Sequence, residues 1–105
     1  MERAVQVGDG FIASCGSDRT AYTVIEVKTP KKIIVQRDKE GERLDPEGGP
    51  TGYNAAIRDP EGATRVYTLR KNDRWMEKGV PMSSWWITGS VVEPGTQKHY
   101  RDPHF

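Results

Sequence analysis

Four residues in the second half of the chain have side chains that could bind a nucleotide: Arg70, Lys71, Arg74 and Trp75. A guanidinium group can donate paired hydrogen bonds to phosphate oxygens, and an indole ring can stack on a base. Because Arg74 directly precedes Trp75, one short segment offers both groups. The sequence therefore predicts that this segment binds phosphate and base, although Trp75 could equally fill the core of a small domain.

Other residues could complete such a site from separate segments. An acid beside a guanidinium, as in Asp18-Arg19, could bind the edge of a purine and a phosphate. The alternative for this pair is a local ion pair in a turn. Tyr22 offers a second ring for stacking, and Arg37 a further cation. We predict that all eight residues converge on one concave, ligand-binding surface.

Positive charge is concentrated in two bands although the whole chain carries only +1. Residues 28–44 and residues 63–78 each sum to +3. If the strands that contain them are neighbours in a sheet, the bands could merge into a basic face that attracts phosphate. The alternative is an ordinary solvated surface. The basic residues are Lys28, Lys31, Lys32, Arg37, Lys39 and Arg43 in the first band, and Arg65, Arg70, Lys71, Arg74 and Lys78 in the second.

Catalytic, metal and cofactor sites find little support in the sequence. A lone cysteine in a strand, such as Cys15, is usually a small buried hydrophobe. The two histidines, His99 and His104, fall in a tail that we expect to be mobile. No glycine-rich loop ends in Lys-Ser or Lys-Thr, and no zinc-binding spacing occurs. We therefore predict a protein that is not an enzyme and uses no metal or cofactor.

The same composition limits the class and location of the protein. One cysteine cannot form an internal disulfide, and apolar runs are too short to cross a membrane. Since the N-terminus also lacks a signal-peptide pattern, we expect a cytoplasmic protein with no membrane partner. Its 105 residues predict a single domain, with a core over residues 1–94 and a tail over 95–105 that packs back through its aromatic residues.

Residue types predict an all-β fold. Val and Ile number fifteen against two Leu, and β-branched side chains favour strands. The predicted strands are 5–14, 21–28, 32–37, 53–58, 64–71 and 85–92. Asp-Pro-Glu-Gly at 45–48 and 59–62 predicts turns, the second joining strands 53–58 and 64–71 as a hairpin. We expect a small antiparallel SH3-like barrel of about six strands, with an open rolled sheet as the alternative.

Several connections and one aromatic pair complete this prediction. Residues 29–31 should form a tight hairpin loop, 38–52 a long polar loop, and 72–73 a turn. Adjacent tryptophans at 85 and 86 would point to opposite faces of their strand. The outward ring would then serve as a ligand platform or as a contact between subunits.

A set of short motifs in a fixed order resembles a family of small phage and prophage proteins of unassigned activity. The motifs are Ser17-Asp18-Arg19 with Thr23-Val24, Val35-Gln36-Arg37-Asp38, Thr68-Leu69-Arg70-Lys71 with Arg74-Trp75, and Tyr100 with Asp102-Pro103 and Phe105. The chain departs from the pattern at Asn72-Asp73 and over residues 40–63. The resemblance implies a phage protein acting in the cytoplasm of a bacterial host, and it supplies no catalytic residues.

These inferences together predict a non-enzymatic binding protein. It would sequester a nucleotide-type signal of host immunity and so counteract bacterial defence against phage, as a homo-oligomer with a cavity between subunits. One alternative is a nucleic-acid-binding SH3-like module that uses the basic face. The other is a protein–protein interaction module or inhibitor that uses one of the adjacent tryptophans.

Overall fold

The computed structural model describes residues 4–15, 18–43, 53–71, 74–81, 83 and 87–100. Within these residues the chain forms nine β-strands, all paired antiparallel. They are β1 (Gly10–Cys15), β2 (Asp18–Thr29), β3 (Lys32–Arg37), β4 (Lys39–Arg43), β5 (Tyr53–Ile57), β6 (Thr64–Leu69), β7 (Trp75–Glu77), β8 (Ile87–Val92) and β9 (Lys98–Tyr100). In the part of the chain so described, no helix has the length and apolar character needed to cross a bilayer.

Six of these strands close into a barrel because β1 pairs on both of its sides. The order around the barrel is β1, β8, β7, β6, β3 and β2, and β2 pairs again with β1. Gly10 at the start of β1 lies opposite Thr23 of β2 and Val92 of β8. The predicted small antiparallel barrel is therefore confirmed, and the alternative of an open sheet is excluded.

Alternating residues of the barrel strands fill its interior. Tyr22 and Val24 of β2 point inward, as do Ile33 and Val35 of β3, because successive side chains of a strand face opposite sides. At the centre lies Phe11, which is fully buried. The core cluster consists of Phe11, Tyr22, Val24, Ile33, Val35 and Tyr67.

A glycine on β8 makes room for the central ring. A Cβ atom built at Gly89 would overlap the Phe11 ring. Because Phe11 is enclosed on all sides, its ring has nowhere to move. The close approach of β8 to β1 at this point therefore requires glycine.

Three further strands, β9, β5 and β4, extend the sheet from β2 and are called the arm below. Tyr100 of β9 pairs with Arg19 of β2 on one side and with Tyr53 of β5 on the other. At the outer side of the arm, Lys39 of β4 pairs with Ile57 of β5. The arm thus begins where the N-terminal part of β2 runs beyond the end of β3, whose last residue, Arg37, lies opposite Tyr22.

The predicted hairpin between strands 53–58 and 64–71 is wrong. β5 pairs with β4 and β9, whereas β6 pairs with β3 and β7. The Asp-Pro-Glu-Gly turn is present, with the Gly62 N–H donating to the Asp59 carbonyl at 3.1 Å. This turn redirects the chain from the arm back to the barrel instead of joining paired strands. By contrast, the predicted hairpin between β2 and β3 is confirmed.

Three strands were missed by the sequence prediction. β4 lies in the supposed polar loop, and its sequence Lys-Glu-Gly-Glu-Arg has no apolar alternation. β7 and β9 have only three residues each. The predicted turns at 45–48 and 72–73, and the adjacent tryptophans at 85 and 86, lie outside the described residues.

Candidate functional site

The two basic segments of the sequence meet at one end of the barrel. β3 and β6 are neighbours, with Lys32 opposite Thr68. Beyond this pair, the Leu69 N–H donates a hydrogen bond to the Lys31 carbonyl at 2.8 Å. The β2–β3 turn and the β6–β7 connection therefore lie side by side, and we call the cations of these two segments the basic rim: Lys28, Lys31, Lys32, Arg70, Lys71 and Arg74.

The side chains of the basic rim differ in their exposure to solvent and in their hydrogen bonds and ion pairs. Lys31, Lys71 and Arg74 are exposed. Lys28 forms an exposed ion pair with Glu26 at 3.0 Å, which is worth little in water. Arg70 is half-buried, and its Nε donates to Thr68 Oγ1 at 2.7 Å while its Nη2 donates to the Glu77 carbonyl at 3.0 Å. The guanidinium of Arg70 thus ties the β6–β7 connection to β7. Its role in phosphate binding stays a prediction.

A cavity of about 880 Å³ opens beside the basic rim. Its apolar wall comes from both barrel and N-terminal residues, and Asp9 and Glu93 add two carboxyl groups to the lining. Trp75 is half-buried because it packs against the core cluster while also lining the cavity. The apolar lining residues are Ala4, Val5, Val27, Pro30, Leu69, Trp75, Val91 and Val92.

Other predicted site residues lie elsewhere. Tyr22 is only 9% exposed and meets the Phe11 ring edge-on at 6.4 Å, so it belongs to the core and cannot stack on a ligand. Arg37 is exposed at the end of β3, beside a shallow depression that it shares with Asp38 and Asp59. The structure thus places Tyr22 in the barrel interior and Arg37 at the end of β3, both apart from the cavity beside the basic rim.

Asp18 and Arg19 lie at the opposite end of the barrel from the basic rim. They begin β2, whereas Lys28 lies near its other end, with about nine residues and roughly 30 Å of strand between Arg19 and Lys28. They are also strand residues and not part of a connecting loop. The eight predicted residues thus do not converge: Lys71, Arg74 and Trp75 share the barrel end with Arg70, and the other four do not.

Sequence reasoning missed a group of buried polar side chains between the arm and the barrel. Asp38 is 2% exposed, and it accepts hydrogen bonds from Thr23 Oγ1 at 2.8 Å and from Gln97 Nε2 at 3.1 Å. His99 is fully buried, although the sequence placed it in a mobile tail. No motif marks these residues, because they come from three separate segments of the chain.

The hydrogen bonds of His99 fix the protonation of its ring. Nδ1 accepts a hydrogen bond from the Ala21 N–H at 3.2 Å, so this nitrogen carries no proton. Nε2 lies 3.2 Å from the Lys39 carbonyl, to which it can only donate. The ring is therefore the neutral Nε2–H tautomer, and it links β2 of the barrel with β4 of the arm.

Two other kinds of chemical group are the metal-ligating side chains and the single thiol of the chain. In the part of the chain that the structure covers, the His, Cys, Asp and Glu side chains form no cluster of three that could hold a metal ion. Cys15, predicted to be buried, is exposed at the end of β1.

Comparisons with known proteins add no further assignment. No protein-family model matches the chain, and neither a curated protein nor a solved structure is found to be similar to it. The resemblance to small phage proteins stays a prediction.

Proposed function

We propose that this protein binds a small anionic ligand with a planar ring, of the nucleotide type, at the open end of the barrel. The observation that carries the proposal is the position of Trp75 in the wall of a cavity bordered by the basic rim. An indole ring stacks on a base, and exposed cations at the mouth attract phosphate.

The size and composition of the cavity support a small molecule over a macromolecule at this place. Its volume of about 880 Å³ falls within the range of ordinary ligand pockets, which are about 300–1,000 Å³. The lining combines apolar residues, among them Trp75, with polar and charged ones, and the cations Lys31, Lys71 and Arg74 lie outside it in the two turns. A ligand would therefore insert its ring and leave its phosphate at the rim.

The biological setting is a separate part of the proposal. Sequestration of a host-immunity signal in a bacterial cytoplasm follows by analogy from the resemblance to small phage proteins, and self-association follows from the small size of the domain. Simple binding needs only the cavity, the indole and the cations. We accordingly treat the ligand class as the point to test first.

Thermal unfolding in the presence of mono-, di-, tri- and cyclic nucleotides tests the proposal. A ligand present at about one hundred times its Kd stabilises the folded state by about 2.7 kcal/mol, which raises Tm by several degrees. We expect Lys71→Gln and Arg74→Ala to reduce this shift with little change in the Tm of the free protein. Trp75→Ala should abolish the shift, and Trp75→Phe should retain part of it.

Lys78→Gln is the matched control, because Lys78 is an exposed cation just beyond β7, at the end of that strand away from the rim. It should leave the ligand-induced shift unchanged. If no nucleotide raises Tm, or if Lys78→Gln lowers the shift as much as Lys71→Gln does, the barrel end is not a nucleotide site.

A further inference from the structure

One row of side chains crosses three strands on the side of the arm that faces away from the barrel. Arg19 of β2 lies opposite Tyr100 of β9, which lies opposite Tyr53 of β5. Directly opposed residues of antiparallel strands project from the same face of the sheet. The two tyrosine rings are in contact, with centroids 4.8 Å apart and planes tilted by 55°.

Two more rows continue this face along the arm. Lys98 lies opposite Ala55, and Lys39 lies opposite Ile57. Alternate residues of a strand are about 6.7 Å apart, so each row follows the last at that spacing. We call these seven positions the outer face: Arg19, Lys39, Tyr53, Ala55, Ile57, Lys98 and Tyr100.

The outer face is open, whereas the His99 side chain on the other side of the arm is covered. Tyr53 is 44% exposed and Ile57 is 53% exposed, whereas His99, on the opposite side, is fully buried. Lys39 and Lys98 are exposed as well. The arm therefore presents an aromatic and apolar surface to solvent.

The charges of the outer face indicate the kind of partner that would cover it. Three of its seven positions are cations and none is acidic. Two copies of the face placed against each other would bring cations to cations, so a second copy of this chain is a poor fit. An anionic partner with flat rings is a good fit, because bases stack on tyrosine and phosphates attract Lys and Arg.

We propose that the outer face of the arm binds single-stranded nucleic acid. Tyr53 provides the stacking surface for a base, with Tyr100 supporting its ring from the adjacent strand. Arg19, Lys98 and Lys39 border the path of the backbone, one in each row. Bases of a duplex are paired and stacked on each other, and so cannot reach the tyrosines.

This inference is independent of the barrel-end site. It involves neither Trp75 nor any residue of the basic rim. Arg19 and Tyr100 belong instead to a surface at the other end of β2. If nucleotides fail to bind at the barrel end, the proposal for the outer face is unaffected. If single-stranded nucleic acid fails to bind the outer face, the proposal for the barrel end is likewise unaffected.

Fluorescence anisotropy of a labelled ten-nucleotide oligothymidine at low salt tests the proposal. We expect Tyr53→Ala to weaken binding about tenfold, whereas Tyr53→Phe, which keeps a ring, should bind as the unchanged protein does. Lys98→Gln should lower the slope of log K against log salt by about 0.7, the value for one phosphate contact on a single strand. A duplex of the same sequence should bind more weakly.

Controls separate this surface from general attraction between charges. Lys78→Gln removes an exposed cation beyond β7, a strand on the far wall of the barrel, and should not change the affinity. Trp75→Phe should also have no effect. Unfolding temperatures of every variant verify that the arm is still folded.

Any of three results would overturn the proposal. The first is an affinity that Tyr53→Ala leaves unchanged in a folded protein. The second is a loss caused by Lys78→Gln as large as the loss caused by Lys98→Gln. The third is competition by polyglutamate as strong as competition by unlabelled oligothymidine, which would assign the surface to an acidic protein partner.

Discussion

The interior of the barrel and its junction with the arm are stabilised by different chemistry. Phe11, Ile33 and Val35 make the barrel interior apolar and fully buried. At the junction, the buried side chains are instead His99 and Asp38, held by directional hydrogen bonds. Burial of apolar side chains stabilises the fold in proportion to the area removed from water. A hydrogen bond stabilises it only when donor and acceptor have the right distance and angle.

This difference has consequences for tolerance to substitution. An apolar core accepts other apolar side chains if the volume is kept. A buried polar group that loses its partner costs about 1–3 kcal/mol, because it has already lost its water. The junction already contains one such cost, since Gln97 Oε1 is buried and has no partner among the described residues.

The largest effect is expected from Gly89→Ala in the barrel. The new Cβ atom would overlap the Phe11 ring, which cannot move. Overpacking of this kind costs about 1–3 kcal/mol, and the full enclosure of the ring favours the upper end, about 3 kcal/mol. Urea unfolding of the variant against the unchanged protein measures the loss.

A double variant tests the cause of that loss. Phe11→Leu creates space at the same point, so Gly89→Ala should cost clearly less in its presence than alone. If the two losses simply add, the clash between this side chain and the Phe11 ring is not the reason for glycine at 89.

A smaller and more local effect is expected from His99→Leu at the junction. The variant leaves the Ala21 N–H and the Lys39 carbonyl without the ring that joins them, at a cost of about 2 kcal/mol. Since these bonds tie the arm to the barrel, hydrogen exchange should become faster in β4 and β5 than in β3.

Gln36→Leu is the matched control for His99→Leu. Gln36 is also buried, but its Nε2 donates to the Pro60 and Gly62 carbonyls at 3.0 Å each, and so holds the turn between β5 and β6. Its loss should speed exchange near that turn and leave β4 unaffected. Equal exchange patterns in the two variants would contradict a specific role of His99 in docking the arm.

The comparison also explains which parts of the fold the sequence could predict. Alternating apolar residues and Pro- or Gly-containing turns predicted β2, β3 and β6 to within about three residues at each end. Hydrophobic patterning reports burial against a core, which is how these strands are held. β4, by contrast, has no apolar side chain, and nothing in its pattern indicates a strand.

The sequence could predict only that part of the candidate site which two neighbouring strands bring together. The sequence raised the meeting of the two basic segments as a possibility, and the pairing of β3 with β6 produces it. The end of the barrel at which a residue lies depends on strand register and on how the barrel closes. The sequence alone therefore could not show that Arg19 and Arg74 lie at opposite ends. Likewise, Tyr22 and Tyr53 look alike in sequence, although one lies inside the barrel and the other on the arm.

The smallest effect at neutral pH is expected from Tyr67→Phe, which tests whether the barrel interior excludes charge. Burial, with smaller contributions from Tyr22 and Glu77, raises the pKa of the Tyr67 phenol above its usual range. Well below pH 10 the phenol keeps its proton in both the folded and the unfolded chain, so Tyr67→Phe changes stability there only through the lost hydroxyl, by about 1 kcal/mol or less.

Above pH 10 the two proteins should diverge. The unfolded chain then releases the Tyr67 proton while the folded chain retains it, so the free energy of unfolding falls by at most about 1.4 kcal/mol per pH unit. Tyr67→Phe has no proton to release at this position, and its stability should decline less steeply between pH 10 and pH 11.5. Urea unfolding of both proteins across this range measures the difference. Parallel curves would mean that water reaches the phenol, and that the barrel interior does not exclude charge at this position.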